Sequence, residues 1–434
     1  MADPYVMRRW FVGLGAFALV VGSVATLRVL GAGRAHAAAS PSASDDAPAA
    51  VTLVQAPPAA LAPSFAGLDL VHIGLADDAA TAPLDGKRTA KLSVDPALEK
   101  TALAILKQHH VPEGAIVVMD PATGEVLVYA SHVESGPKRD LAAVARAPSA
   151  SLFKIVTASA LVDHAGLNAE TRECYAGGGE QRLTSGDLLV DPLRDKYCVS
   201  LATAMGKSTN AVFARLAQRH LKAAELNDEA RAYGYGEPVP FEVPIAASDV
   251  KLPDDGLPFA RTAAGFWNST LTPLQAAWIS ATVAHGGEVL KPTIVREILA
   301  PDGTSMWTAP KSPTVLRRAV PSATAAAVTT MMEHTVSEGT SFRAFHDPKG
   351  TAFLPAGLVV AGKTGTLNDP DGQHYYTWFT GFAPSHPKPG EKQVAISVLV
   401  VNGPKWHVKA NVVAREMLRA YFQGAGKPDT VAAK

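Results

Sequence analysis

Gly357-Leu358-Val359-Val360-Ala361-Gly362-Lys363-Thr364-Gly365-Thr366 admits two readings, and they lead to different folds. Gly357 to Thr364 matches the G-x-x-x-x-G-K-[ST] pattern of a phosphate-binding loop letter by letter. That pattern needs a loop between its glycines and a helix after its lysine. Here Leu358 to Ala361 is apolar and strand-forming, and Gly365-Thr366-Leu367-Asn368-Asp369-Pro370 cannot open a helix. Asp120 closes an apolar run as a magnesium-binding carboxylate would, but a Pro-containing turn follows at once. The nucleotide reading fails. The stretch reads as a strand from Leu358 to Thr366 that ends in Lys-Thr-Gly.

Downstream, Thr377 to Phe382 and Val394 to Val401 read as two more strands, with a closing helix near Asn411 to Phe422. Towards the N-terminus, Ala115 to Met119 and Glu125 to Ala130 form a hairpin around the turn Asp120-Pro121-Ala122-Thr123-Gly124. Asp95 is an N-cap with Pro96 at the first helical position. Pro148 precedes an apolar helix from about Ser151 to Ala165, stopped by Gly166. From there to about residue 340 the chain reads as mostly helical. Two early strands and three late ones predict a mixed α/β fold: one antiparallel five-stranded sheet flanked by helices, with a helical insertion.

The 434 residues are 47% hydrophobic and 18% charged, enough apolar surface for a large core. Forty Lys+Arg balance 40 Asp+Glu, which gives no electrostatic reason to expect nucleic acid as a partner. Two cysteines exclude a disulfide-built scaffold and any Cys₄ metal site. The 13 histidines show no H-E-x-x-H or other metal spacing, and His109-His110 at a helix end reads as solvated. Trp10 to Leu27 is apolar and uncharged behind Arg8-Arg9; as a helix it would span roughly 27 Å. It reads as an uncleaved membrane anchor, with Ala35-His36-Ala37 as a competing cleavage site and Arg8-Arg9 as a possible twin-arginine signal. Either way the bulk of the chain is expected outside the cytoplasm, behind an Ala/Pro/Ser-rich spacer. In that compartment Cys174 and Cys198 are a disulfide candidate, closing a loop of about 25 residues.

Three short motifs carry chemistry. Ser151-Leu152-Phe153-Lys154 sets a hydroxyl and an amine one helical turn apart on one face, so the lysine can serve as base to the serine. The same spacing at Ser135-Gly136-Pro137-Lys138 and Ser385-His386-Pro387-Lys388 is spoiled by proline. Ser208-Thr209-Asn210 lies between two helices; taken alone, it reads as a cap. Lys363-Thr364-Gly365-Thr366 occurs once. No G-x-S-x-G elbow surrounds a serine.

In this order the three motifs resemble the active site of penicillin-binding proteins and serine β-lactamases. Gly114 to Ser131, Leu271-Thr272-Pro273-Leu274-Gln275 and Val360 to Thr366 are similar to the penicillin-binding transpeptidase domain, so the likeness runs from about Val94 to Val401. The resemblance implies a β-lactamase/transpeptidase-like fold and an acyl-serine D,D-transpeptidase that cross-links D-Ala-D-Ala stem peptides and is acylated by β-lactam antibiotics. Ser151 would be the nucleophile and Lys154 its base. Ser208 would relay a proton to the leaving D-alanine, and Asn210 would hold the substrate amide. Lys363 with Thr364 or Thr366 would bind the terminal carboxylate, and Gly365 would let the peptide lie against the strand. The N–H groups of Ser151 and Thr366 would form the oxyanion hole. No metal or cofactor is implied.

The implied organisation is a cytoplasmic tail over 1–9, an anchor or signal segment over 10–30, a linker over 31–64, a short N-terminal segment over 65–93 and the transpeptidase domain over 94–425. The enzyme would be a single-pass protein of the cell inner membrane with its catalytic domain periplasmic. About 90 residues precede Val94, too few for a glycosyltransferase domain. A D,D-carboxypeptidase remains an alternative. A class A β-lactamase would need Glu-x-x-Leu-Asn, where this chain has only Glu225-Leu226-Asn227. A non-catalytic β-lactam sensor is the third alternative.

Overall fold

Val394-Ala395-Ile396-Ser397-Val398-Leu399-Val400-Val401 is apolar at almost every position, a pattern that a strand sustains only when both of its faces are covered. In the computed structural model, which describes residues 63–177, 182–369 and 371–424, all nine residues of Val394–Asn402 are buried. The apolar run Trp10 to Leu27 and the linker as far as residue 62 lie outside the described residues. Among the described residues no helix is long and apolar enough to cross a membrane.

The strand is the middle of a five-stranded sheet. In chain order its members are β1 (Glu113–Met119), β2 (Val126–Val133), β3 (Ala361–Asn368), β4 (Tyr375–Ala383) and β5 (Val394–Asn402). Their order across the sheet is β3-β4-β5-β1-β2, with every pair antiparallel. Strand β3, which carries Lys-Thr-Gly, is therefore an edge. It starts three residues later than its apolar pattern suggests, because Leu358-Val359-Val360 lead in as an irregular segment.

Side-chain alternation sends each strand's residues to two cores. Ile116, Val118, Val398 and Val400 pack against helix α1 (Pro96–Gln108) and the closing helix Ala410–Gln423. Asp95 caps α1, accepting from the N–H groups of Ala97 and Leu98 at 2.9 and 3.0 Å. On the opposite face Leu399, Val401 and Trp378 join the core of helix α2 (Lys154–Ala165) and the helices that follow it. Helix α2 ends as its sequence predicts, at Gly166 with φ 64°.

Two expectations are corrected. The stretch to residue 340 is not mostly helical: it holds strands at Glu288–Leu290, Val295–Leu299, Ser305–Thr308 and Val315–Arg318. Residues 65–93, the short N-terminal segment, pack on the main body, with Leu70, Leu84 and Leu92 in one core with Val117 and Met119. Gly74–Leu75, Ala80–Leu84 and Arg88–Leu92 form a second five-stranded antiparallel sheet with Val295–Leu299 and Ser305–Thr308, joined through pairing of Arg88–Leu92 with Val295–Leu299. These strands are short, and the pairing that joins them spans more than 200 positions, so neither period nor length marked them. His109 is also not simply solvated: its Nε2 lies 2.9 Å from Glu416 Oε2 with 20% of the side chain exposed, while His110 stays outside.

Candidate active site

Ser151 sits in a single 3-10 turn, Ala150–Phe153, that runs directly into α2. The turn is held from three sides. Trp378 Nε1 donates to Pro148 O at 2.9 Å, Tyr235 Oη donates to Ser149 Oγ at 3.1 Å, and Ala147–Pro148 pairs with Thr270–Leu271. Ala150 adopts φ 48°, a left-handed conformation costly for a residue with a Cβ, immediately before the serine. Gly265 makes this possible: a Cβ there would lie 2.4 Å from Ala150 O and 2.8 Å from Ser151 Cα.

Lys154 is fully buried one turn along. Its Nζ lies 2.9 Å from Ser151 Oγ, 2.6 Å from Asn210 Oδ1 and 2.5 Å from Ala264 O. The last two atoms can only accept, so they orient the amine by taking two of its N–H groups. The remaining direction faces the serine hydroxyl. In the neutral amine that direction is a lone pair, placed to take the proton of Ser151. The ring of Phe213 packs below, with its centroid 5.6 Å from Nζ.

The Ser208-Thr209-Asn210 tripeptide joins α3 (Leu201–Lys207) to α4 (Asn210–His220). It is not spent on capping: Thr209 is the N-cap residue of α4 and makes no side-chain capping bond. Ser208 is itself left-handed, φ 58°, which turns its hydroxyl into the cleft rather than along a helix. There Lys363 Nζ donates to Ser208 Oγ at 2.9 Å and to Thr364 O at 2.9 Å. Lys363 is fully buried on β3, and burial pulls its ammonium down to about 7. Thr364 Oγ1 meets Thr340 Oγ1 at 2.6 Å.

Gly365 explains the fit between the two halves. Its side of β3 lies against the nucleophile's turn, and a Cβ would come within 2.9 Å of Leu152 Cδ1 and 3.1 Å of Ala150 Cβ. All eight residues anticipated for the chemistry therefore converge: Ser151, Lys154, Ser208, Asn210, Lys363, Thr364, Gly365 and Thr366. Ser151, Asn210 and Thr366 line both compartments of one cleft, of about 410 and about 620 Å³. Ser135 is exposed on a loop and Ser385 is buried elsewhere.

The sequence reading missed Ala264, Gly265, Phe213 and Thr340. A backbone acceptor, a steric gap, a ring beneath an amine and a distant threonine have no local pattern. It also gave no hint that neither compartment has a carboxylate among its described lining residues.

The penicillin binding protein transpeptidase domain, as a family profile, matches residues 114–419. The chain belongs to this transpeptidase family. Among curated proteins it is 29% identical over 380 residues to the peptidoglycan D,D-transpeptidase PbpA of Mycobacterium tuberculosis, covering 77% of this chain and 72% of the relative. The crystal structure of PBPA from the same organism superposes with a TM-score of 0.61 at 26% identity, over 77% of this chain and 80% of that one. The penicillin G acyl-enzyme complex of that protein superposes at 0.60 and 27% identity, with the same coverage. For this transpeptidase, the expected β-lactamase/transpeptidase-like layering is the observed one.

At the hairpin formed by Arg172–Tyr175 and Tyr197–Ser200, Cys174 and Cys198 face each other in register and are joined by a disulfide. The hairpin leads straight into α3, because Ser200 Oγ accepts from Thr203 N at 3.1 Å as the cap of that helix. Behind it, Arg215 binds Asp195 through two bonds of 2.6 and 3.0 Å and also reaches Cys174 O at 2.6 Å. The guanidinium holds the Asp195 carboxyl below the usual carboxylate range.

Proposed function

We propose that the protein is an acyl-serine D,D-transpeptidase that cross-links peptidoglycan stem peptides and is covalently labelled by penicillin. The observation that carries this reading is the pair of lysine–serine contacts, each 2.9 Å, that meet at one cleft. Lys154 takes the proton of Ser151 as the serine oxygen attacks the penultimate D-alanine carbonyl. The negative charge that develops on the carbonyl oxygen is met by the N–H groups of Ser151 and Thr366. As the C–N bond breaks, Ser208, backed by Lys363, passes a proton to the departing D-alanine amine. Asn210 holds the peptide amide, and Lys363 with Thr364 receives the terminal carboxylate. An acceptor amine then attacks the ester, and Ser151 regains its proton.

Hydrolysis of such an ester needs a base to activate water. No carboxylate lines the cleft among the described residues, and Glu225 instead closes the start of the helix Ala223–Ala232 by accepting from Lys222 N at 2.8 Å. This favours a long-lived penicilloyl-enzyme over a β-lactamase. The apolar run Trp10 to Leu27 supports attachment to the membrane with the catalytic domain beyond it.

The test is incubation of the protein with a stem-peptide donor ending in D-Ala-D-Ala, with and without an amine acceptor. Cross-linked product is expected. Release of D-alanine with no cross-link, at any acceptor concentration, would make it a carboxypeptidase instead.

A further inference from the structure

Strand β3 runs past the nucleophile from Lys363 to Asn368, so the two ends of the cleft lie on opposite sides of Ser151. Lys363, Thr364 and Thr340 mark the end that suits a terminal carboxylate. The larger compartment lies at the other end, where Thr366, Leu367 and Asn368 form its floor. Its volume of about 620 Å³ far exceeds the needs of one scissile bond, so it receives the body of the donor upstream of that bond.

Its walls have a definite chemistry. Phe266, Tyr375 and Trp406 supply aromatic surface, and the last two rings pack 5.5 Å apart. Arg182 is the one charged residue among the described lining. Its neighbour Leu183 is buried, and Leu183 O accepts from Arg261 Nε at 3.0 Å and Nη2 at 2.6 Å, which fixes the chain beside Arg182. Among the described residues no carboxylate pairs with Arg182, and none lines the compartment. An arginine on the wall of a compartment that also has aromatic surface, with no carboxylate paired to it among the described residues, suits a planar anion on an otherwise apolar chain.

We propose that Arg182 is a specificity-determining residue that recognises a second carboxylate, carried on a side chain of the donor peptide upstream of the bond Ser151 attacks. The inference rests on the transpeptidase reading and makes it narrower: the preferred donor is anionic at two places, one at each end of the cleft. A donor whose upstream carboxyl is amidated presents the same shape without the charge.

Two synthetic donors ending in D-Ala-D-Ala, identical except for a free carboxylate or a carboxamide on the side chain of the third residue, separate these possibilities. Acylation kcat/KM is measured for both with the wild-type protein, Arg182→Ala and Arg182→Lys. The wild type is expected to prefer the carboxylate donor by about tenfold or more, as a charged hydrogen-bonded pair supplies. Arg182→Ala should remove most of that preference and Arg182→Lys should restore part of it. The wild-type preference should shrink as ionic strength rises. Equal losses on both donors in Arg182→Ala, or a preference that survives it, would overturn the proposal. If neither donor acylates the wild type while penicillin labels Ser151, both the proposal and the stem-peptide reading fall. If penicillin does not label Ser151, the acyl-serine mechanism itself falls.

Discussion

The two walls of the cleft hold their lysines by different means. On one side, Lys363 belongs to a strand whose register against β4 is continuous over eight residue pairs, from Ala361–Phe382 to Asn368–Tyr375. Its position follows from the period of a ladder. On the other side, Lys154 starts the helix that follows a 3-10 turn, Ser208 is a left-handed residue and Asn210 is another helix start. They are kept in place by a glycine gap, a buried ion pair and a disulfide-bridged hairpin. A wall built on a ladder depends on many equivalent bonds. A wall built from helix ends depends on a few special ones, and single changes should reach it more easily.

The largest effect expected is chemical and belongs to the helical wall. Ser151→Ala should abolish labelling by a fluorescent penicillin, whereas Ser135→Ala and Ser385→Ala should label normally; peptide mapping of the labelled protein decides it. Label that persisted in Ser151→Ala would remove the nucleophile from that wall.

Lys363→Ala tests the strand wall. Acylation should fall by about 10²–10³, the range for losing one group of a preorganised electrostatic site. The loss should be larger for a donor with a free terminal carboxylate than for its terminal amide. The pH dependence has a sign. Burial sets Lys363 near 7, so it is charged below that value and neutral above it. The advantage of the free carboxylate in kcat/KM should therefore shrink as pH rises through about 7. A bound carboxylate favours the charged form, so the corresponding inflection in kcat should lie higher. A flat profile would mean that Lys363 does not meet the carboxylate.

Asp195→Ala should sharpen the contrast, because it touches no reacting group. It leaves Arg215, whose side chain is 2% exposed, with the longer 3.8 Å approach to Glu173 in place of its two-bond partner, and removes an anchor behind the Cys174–Cys198 hairpin. The melting temperature should fall by several degrees, and acylation should slow while penicillin still labels Ser151. An unchanged acylation rate would show that α3 keeps Ser208 in place without the hairpin.

Reduction of the disulfide is expected to be the mildest. The chain-entropy model gives roughly 3.5 kcal/mol for such a loop as an upper figure. Reduction should lower the melting temperature and slow acylation a few-fold with the fold intact. Two titratable thiols in the unreduced, denatured protein would mean that the bridge does not form.

The same contrast sets how much could be read from the sequence. The central sheet was legible because its middle strand is long and apolar on both faces: Val394 to Val401 can hardly be anything else. The site was legible through order rather than through any one motif, since Ser-x-x-Lys also occurs at Ser135 and Ser385 and Ser208-Thr209-Asn210 reads by itself as a cap. What stayed hidden depends on the third dimension. Ala264 offers only a carbonyl, Gly265 only the absence of an atom, and Val295–Leu299 takes one of its partners, Arg88–Leu92, from far along the chain.

One of those partnerships bears on where this polypeptide can be cut. Val94-Asp95-Pro96 reads as the natural start of the folded body, and a recombinant fragment would ordinarily be designed to begin there. Such a fragment would discard Arg88–Leu92 and leave Val295–Leu299 with one side of its backbone unanswered. Ile298 and Val295, nearly inaccessible in the intact fold, would lose part of their cover along that border. A bare, apolar rim of this kind recruits strands from other molecules. The shorter fragment would thus be expected to precipitate on concentration, while one beginning near residue 63 stays dispersed.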